Sequence, residues 1–172
     1  GVATLPRAKG VPSQEDVLAL ALAAEELARE VYRRAVAARP FRGPWAAYLE
    51  AALAQGEEHA RRLREALGRQ PALRFRLPEV FQSPILLLRL LESLEEAFVG
   101  AYLGALPLLE GEALRLAGAI LGVEAGHRVL VRQARLELQD PLLRPPFVAN
   151  DRALEQALSP EGAREALKPY LP

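Results

Sequence analysis

A chain of 172 residues that is 51% hydrophobic, with 22 basic and 22 acidic side chains, can bury one sizeable core and is too apolar to stay disordered. Its net charge of zero gives no sign of a nucleic-acid partner, which favours a basic excess. The absence of cysteine excludes thiolate metal sites, disulfides and thiol catalysis.

No apolar run approaches the ~18 residues that a membrane span needs. The chain holds no methionine, so the N-terminus reads either as processed or as a cut end. Location therefore stays open between the cytoplasm and export after removal of a signal.

Residues 1–12 are punctuated by Pro and Gly and are expected to form an extended arm. Ser13 is a good N-cap, with Asp16 three positions on. "VLALALAAEELAREVYRRAVAA" then runs to Ala38 without a breaker, which predicts a first helix stopped by Arg39–Gly43. Pro44 opens a second helix, "WAAYLEAALAQGEEHARRLREAL", that ends at Leu67 with Gly68 as its stop. Residues 69–82 have no helical period and read as an extended connection. Ser83-Pro84 begins a third helix, "ILLLRLLESLEEAFVGAYLGAL", ended by Pro107. A fourth is expected from about Glu112 to Leu138, and Asp140-Pro141 ends it. The tail, 139–172, has room for two short helical turns at most.

Four long helices with no strand pattern predict an all-α fold, with a bundle over 13–138. The first and second helices, and the third and fourth, are joined by short links and so pair antiparallel. The connection between the hairpins is about fifteen residues, long enough to cross the length of a bundle.

Each helix carries an apolar stripe interrupted by an ionisable side chain. Glu25 shares a face with Leu18, Ala21, Leu22, Ala28 and Tyr32. His59 lies with Ala52, Leu63 and Ala66, and Glu95 with Leu88, Leu91, Phe98 and Tyr102. Glu124 and His127 lie with Ala117, Ile120, Leu121 and Val131. Glu92 and Glu96 compete with Glu95 for the inward position. A carboxylate on an apolar face is costly unless it is paired or bound to a cation. Gathered at the centre, three carboxylates and two imidazoles would suit iron, manganese or zinc, as one ion or two. Glu from two helices with Glu-x-x-His from the other two is the di-metal carboxylate pattern. The fourth helix has it in full, Glu124-Ala-Gly-His127. The second helix has Gly56 three positions before His59, while Glu57 and Glu58 are rotated off that face. Gln55, one turn back, can reach inward as a neutral substitute. The competing reading is a set of buried Glu–His hydrogen bonds with no metal. Tyr32 and Tyr102 are candidates to hydrogen-bond the carboxylates. Arg128, Arg132 and Arg135 are expected as solvated partners on an outer face.

The strings "LALALAAEELAREVYRRA", "EEHARRLREALG", "LEEAFVGAYLGAL" and "AGAILGVEAGH" resemble the ferritin-like superfamily. More narrowly, with the tail "PPFVANDRALEQALSPEGAREALKPYLP", they resemble the bacterial ferritin-like-domain proteins grouped with desiccation-related proteins. The resemblance implies a ferritin-like four-helix bundle in which Glu25, His59, Glu95, Glu124 and His127 match ligand positions and Gly56 does not. It implies an iron or manganese centre for redox chemistry with oxygen or peroxide; a homodimer is a candidate assembly, and the oligomeric state is not legible in the sequence. The alternatives are a structural or interaction module whose site has degenerated and, third, a storage cage.

Overall fold

The computed structural model describes residues 10–144, 146 and 148–172. Most of the expected arm, and Pro145 and Phe147 of the tail, lie outside the described residues. Five α-helices follow in order: α1 (Gln14–Ala38), α2 (Pro44–Leu67), α3 (Pro84–Ala105), α4 (Gly111–Glu137) and α5 (Pro160–Leu167). No strand occurs among the described residues, and no helix among them is long and apolar enough to cross a membrane.

The caps explain the bounds. The Ser13 hydroxyl accepts from the Asp16 N–H and the Asp16 carboxylate accepts from the Ser13 N–H, a reciprocal capping box. Arg39 ends α1 in the left-handed region, φ 50°, and Gly68 ends α2 at φ 78°. Proline occupies the first turn of α2, α3 and α5, where its missing N–H costs nothing. The third helix stops at Ala105, and Pro107 sits inside a single 3-10 turn, Leu106–Leu108.

α1 packs along α2, and α3 along α4; α1 against α3 and α2 against α4 close the bundle. The apolar core falls into two clusters. One gathers Leu27, Val31, Leu49, Leu88, Leu91 and Val131; the other gathers Leu18, Leu22, Leu63, Ala117 and Ile120. Between them, at the middle of all four helices, lies the layer of buried ionisable groups. The 68–83 connection contributes Leu73, Phe75, Leu77 and Phe81 to the first cluster, and the Arg76 N–H donates to the Tyr170 carbonyl at 2.7 Å. Three stripe positions differ from expectation: Ala66 is exposed and Ala21 and Leu121 are half-buried, because neither neighbouring helix reaches the edge of those stripes.

Arg128, Arg132 and Arg135 are buried, which corrects the expectation of a solvated face. The tail covers them. Arg135 and Arg89 both bond Asp140, at 2.8 and 2.6 Å. Arg132 contacts Glu92 and Asp151 and donates to the Ala149 carbonyl; Arg128 donates to Glu155 at 2.5 Å. Hydrogen bonding from Arg89 holds the Asp140 carboxyl well below its ordinary range. The same ladder settles the competition on α3. Glu92 pairs with Arg132 and Arg135, and Glu96 with Arg152, so that Glu95 alone of the three reaches the central layer.

The tail crosses α3 over two glycines. The Leu158 N–H donates to the Gly100 carbonyl at 2.8 Å, and a Cβ at Gly104 would lie 1.7 Å from the Leu158 carbonyl oxygen. On α4, by contrast, Gly122 is exposed, and a Cβ there would meet nothing within 4 Å. Gly104→Ala is therefore expected to lose about 2 kcal/mol or more, by overpacking backbone against backbone. Gly122→Ala is expected to gain about 0.5–1 kcal/mol by the ordinary helix preference for alanine. Urea unfolding of the two variants beside the parent chain checks both signs.

Candidate metal centre

α1 supplies Glu25, α2 His59, α3 Glu95, and α4 both Glu124 and His127. Each lies on the inward stripe of its helix, with adjacent turns of Leu, Val and Ala carrying it into the core. Glu25 and Glu95 are 1% exposed and Glu124 2%, so their charges are almost wholly removed from water. All five residues singled out from sequence meet in one layer.

Two groups of three form there, Glu25–His59–Glu124 and Glu95–Glu124–His127. Within each, one ligand-capable atom per residue lies within 4.8 Å of the others, and Glu124 belongs to both. His127 Nδ1 is 3.2 Å from Glu124 Oε2 and 3.3 Å from Glu95 Oε1. His59 Nδ1 is 3.3 Å from Glu124 Oε1 and 3.5 Å from Glu25 Oε1. The His59 contacts are ion pairs without hydrogen-bond geometry, which leaves His59 Nδ1 buried and without a hydrogen-bond partner. Glu25 Oε2 and Glu95 Oε2 are likewise buried with no hydrogen-bond partner. Buried acceptors without donors are costly, and a divalent cation is one partner that would satisfy this donor set. The residues therefore fit a metal.

Two tyrosines cross between the hairpins. Tyr32 of α1 donates to Glu95 of α3 at 2.7 Å, and Tyr102 of α3 donates to Glu25 of α1 at 2.8 Å. Tyr48 of α2 shares a 2.6 Å hydrogen bond with the Tyr32 hydroxyl and packs its ring edge-on to His127. The stripe reading passed over Tyr48; its signal was the α2 face, since it stands three turns before His59 on the same side. Gln55 does reach inward, accepting at 2.6 Å on the far side of the His127 ring, at Nε2. Glu57 and Glu58 are exposed, as their rotation requires. Gly56 is buried beside Arg29 and presents nothing to the centre.

A family model described as a ferritin-like domain matches residues 13–137. No curated protein matches the chain.

Without a metal, protons take its place. Burial, then the neighbouring Glu124 charge, raise the Glu25 carboxyl to about 8. Burial and Glu95 raise Glu124 as well. Burial alone would lower both histidines, but contact with the carboxylates outweighs it: Glu124 and Glu25 raise His59 to about 9, and Glu124 and Glu95 raise His127 to about 10. Every one of these shifts makes the folded state hold protons more tightly than the unfolded chain. Stability from the imidazoles is thus fully present below their ordinary 6.5 and lost as pH rises through 9 to 10; that from Glu25 fades from 4.5 through about 8. Thermal melting in excess chelator should show the midpoint falling from pH 6.5 to pH 10. In Glu25→Gln the fall should be shallower. A midpoint that rises with pH contradicts the assignment.

Proposed function

We propose, on the premise that the chain belongs to the ferritin-like domain family, that it binds one or two divalent transition-metal ions through Glu25, His59, Glu95, Glu124 and His127. The observation that carries this reading is the pair of three-residue groups sharing Glu124, in which Glu25 Oε2 and Glu95 Oε2 are buried without a hydrogen-bond donor. Carboxylate and imidazole ligands suit iron and manganese, with zinc also accommodated. Bound iron or manganese would supply one-electron redox chemistry toward dioxygen or peroxide, which makes the protein an oxidoreductase of the di-metal carboxylate type. The narrower likeness to desiccation-related proteins would place that chemistry in a stress response.

The chain's own residues have four tasks. Glu25 and Glu95 would each help hold one ion, and Glu124 belongs to both groups. His59 and His127 offer Nδ1 to the centre. Three carboxylates against two dications leave little net charge in a layer that is closed from above and below by apolar clusters. Tyr32 and Tyr102 hold one oxygen of Glu95 and Glu25 and leave the other buried without a donor. To act as ligands, His59 and His127 would have to give up the protons they hold in the metal-free state.

A second reading, a structural or interaction module with a metal-free centre, is favoured by one observation. Gly56 stands where a second shared carboxylate would complete the set, and imidazolium–carboxylate pairs already offset much of the buried charge. Metal content separates the two. After loading with ferrous iron, manganese or zinc, elemental analysis is expected to find up to two ions per chain, lost in Glu124→Ala/His127→Ala. A Cβ at Gly56 would make only ordinary contact, 3.8 Å from Arg29 Cγ, so the backbone there accepts a side chain, and Gly56→Glu is expected to tighten the second ion. Absence of metal under every loading condition overturns the first reading and leaves the second.

A further inference from the structure

The two halves of the centre are built unequally, and the difference lies in what stands behind each imidazole. Both histidines turn Nδ1 toward the carboxylates. A neutral imidazole that gives Nδ1 to a metal must carry its proton on Nε2, and that proton needs an acceptor. His127 has one, Gln55 Oε1 at 2.6 Å. His59 has no protein acceptor among the described residues, and its Nε2 is open to solvent instead. The carboxylates differ in the same sense. Glu95 is held by Tyr32, which is itself held by Tyr48, whereas Glu25 has Tyr102 alone. The His127 ring is also boxed by Tyr48, at 5.7 Å between centroids, and by Tyr32, at 6.2 Å.

We infer that Gln55 is a positioning residue that fixes the Nε2-protonated form of His127, so that the Glu95–Glu124–His127 half fills first and holds its ion more tightly, while the Glu25–His59–Glu124 half is the later, exchangeable one. This rests on the metal-binding reading above. The physical basis is preorganisation: ligands already locked in the binding geometry lose less freedom when the ion arrives. Gln55 is otherwise an exposed side chain on the outer edge of α2, so replacing it leaves the core intact. An amide oxygen serves this role better than a metal-facing one would, because it accepts a proton without adding charge to the layer. The glutamine that looks like a weak substitute for a missing ligand acts on the outside of a ligand instead.

The test is a zinc titration of the full chain, followed by calorimetry and by proton–nitrogen spectra of nitrogen-15 histidine. The two rings give two sets of signals, assigned with His59→Ala. In the parent chain the first equivalent should shift His127, with Nδ1 metal-bound and Nε2 protonated, and the second should shift His59. Gln55→Ala should weaken the first step by roughly 10–100-fold, the effect typical of losing the partner behind a ligating histidine, and leave the second within about threefold. Gln55→Glu, which keeps the acceptor, should restore the first step. Circular dichroism melting confirms that each variant is folded. The inference is overturned if His59 shifts first, if both steps weaken alike, or if Gln55→Ala binds like the parent. A parent chain that binds no zinc, manganese or ferrous iron removes this inference and the metal reading together. Two bound ions that are indifferent to Gln55 remove this inference alone.

Discussion

Three carboxylates buried within one layer of a helical bundle set the condition that the rest of this structure meets. Removing one such charge from water costs several kcal/mol even after relaxation, and three together repel one another. They persist only because cations of some kind stand among them. In the metal-free chain these are protons, held on two imidazoles and on Glu25 and Glu124, all of them raised above their ordinary values. Replacing protons by metal ions changes the carrier of positive charge but not the requirement for it. The apolar clusters on either side serve the same condition. They make the layer dry, which strengthens every attraction within it and makes an unmatched charge there intolerable.

The layer also shows how two similar hairpins have been made to do different things. Glu25 with Tyr32 two turns on matches Glu95 with Tyr102 two turns on, and each tyrosine serves the other hairpin's carboxylate. The hairpins are thereby cross-tied through the centre rather than along their sides, where α1–α3 and α2–α4 contacts are sparse. The symmetry breaks on α2, where Gly56 holds the position before His59 that Glu124 holds before His127. With no second shared carboxylate, α2 contributes its imidazole and, one turn earlier, an amide that supports the opposite histidine. Tyr48 has no counterpart on α4, where Leu116 stands at the matching distance from His127. The departures from symmetry on α2, Gln55 and Tyr48, both support the His127 half.

Outside the layer, the second large electrostatic system belongs to the tail. Arg128, Arg132 and Arg135 stand at successive turns of α4, and Asp140, Asp151 and Glu155 come back over them. The tail thereby becomes a wall of the bundle along the α3–α4 seam, next to the helix that carries two of the five central residues. Its crossing point is set sterically, by the backbone of Leu158 seated on Gly104. The charge ladder and the glycine seat act on different stretches of the tail, so the two constraints together fix both its path and its register.

The sequence by itself determined where the helices begin and end and which side chains lie inward. Caps and breakers are local chemistry: Ser13, Pro44, Gly68 and Ser83 act on residues within one turn. The 3.6-residue period assigns Glu25, His59, Glu95, Glu124 and His127 to inward stripes without reference to any other helix. That period cannot say what covers the opposite face of a helix. Arg128, Arg132 and Arg135 looked like a wet edge because the segment that buries them has no period of its own. Glu92 and Glu95 are both buried, and only the position of α4's arginines against α3 decides that one makes ion pairs with them and the other faces the centre. Gln55 and Tyr48 took their roles from a ring on another helix more than seventy residues away in the chain. A partner so distant leaves no trace in local spacing, and only the closing of α2 against α4 brings them together.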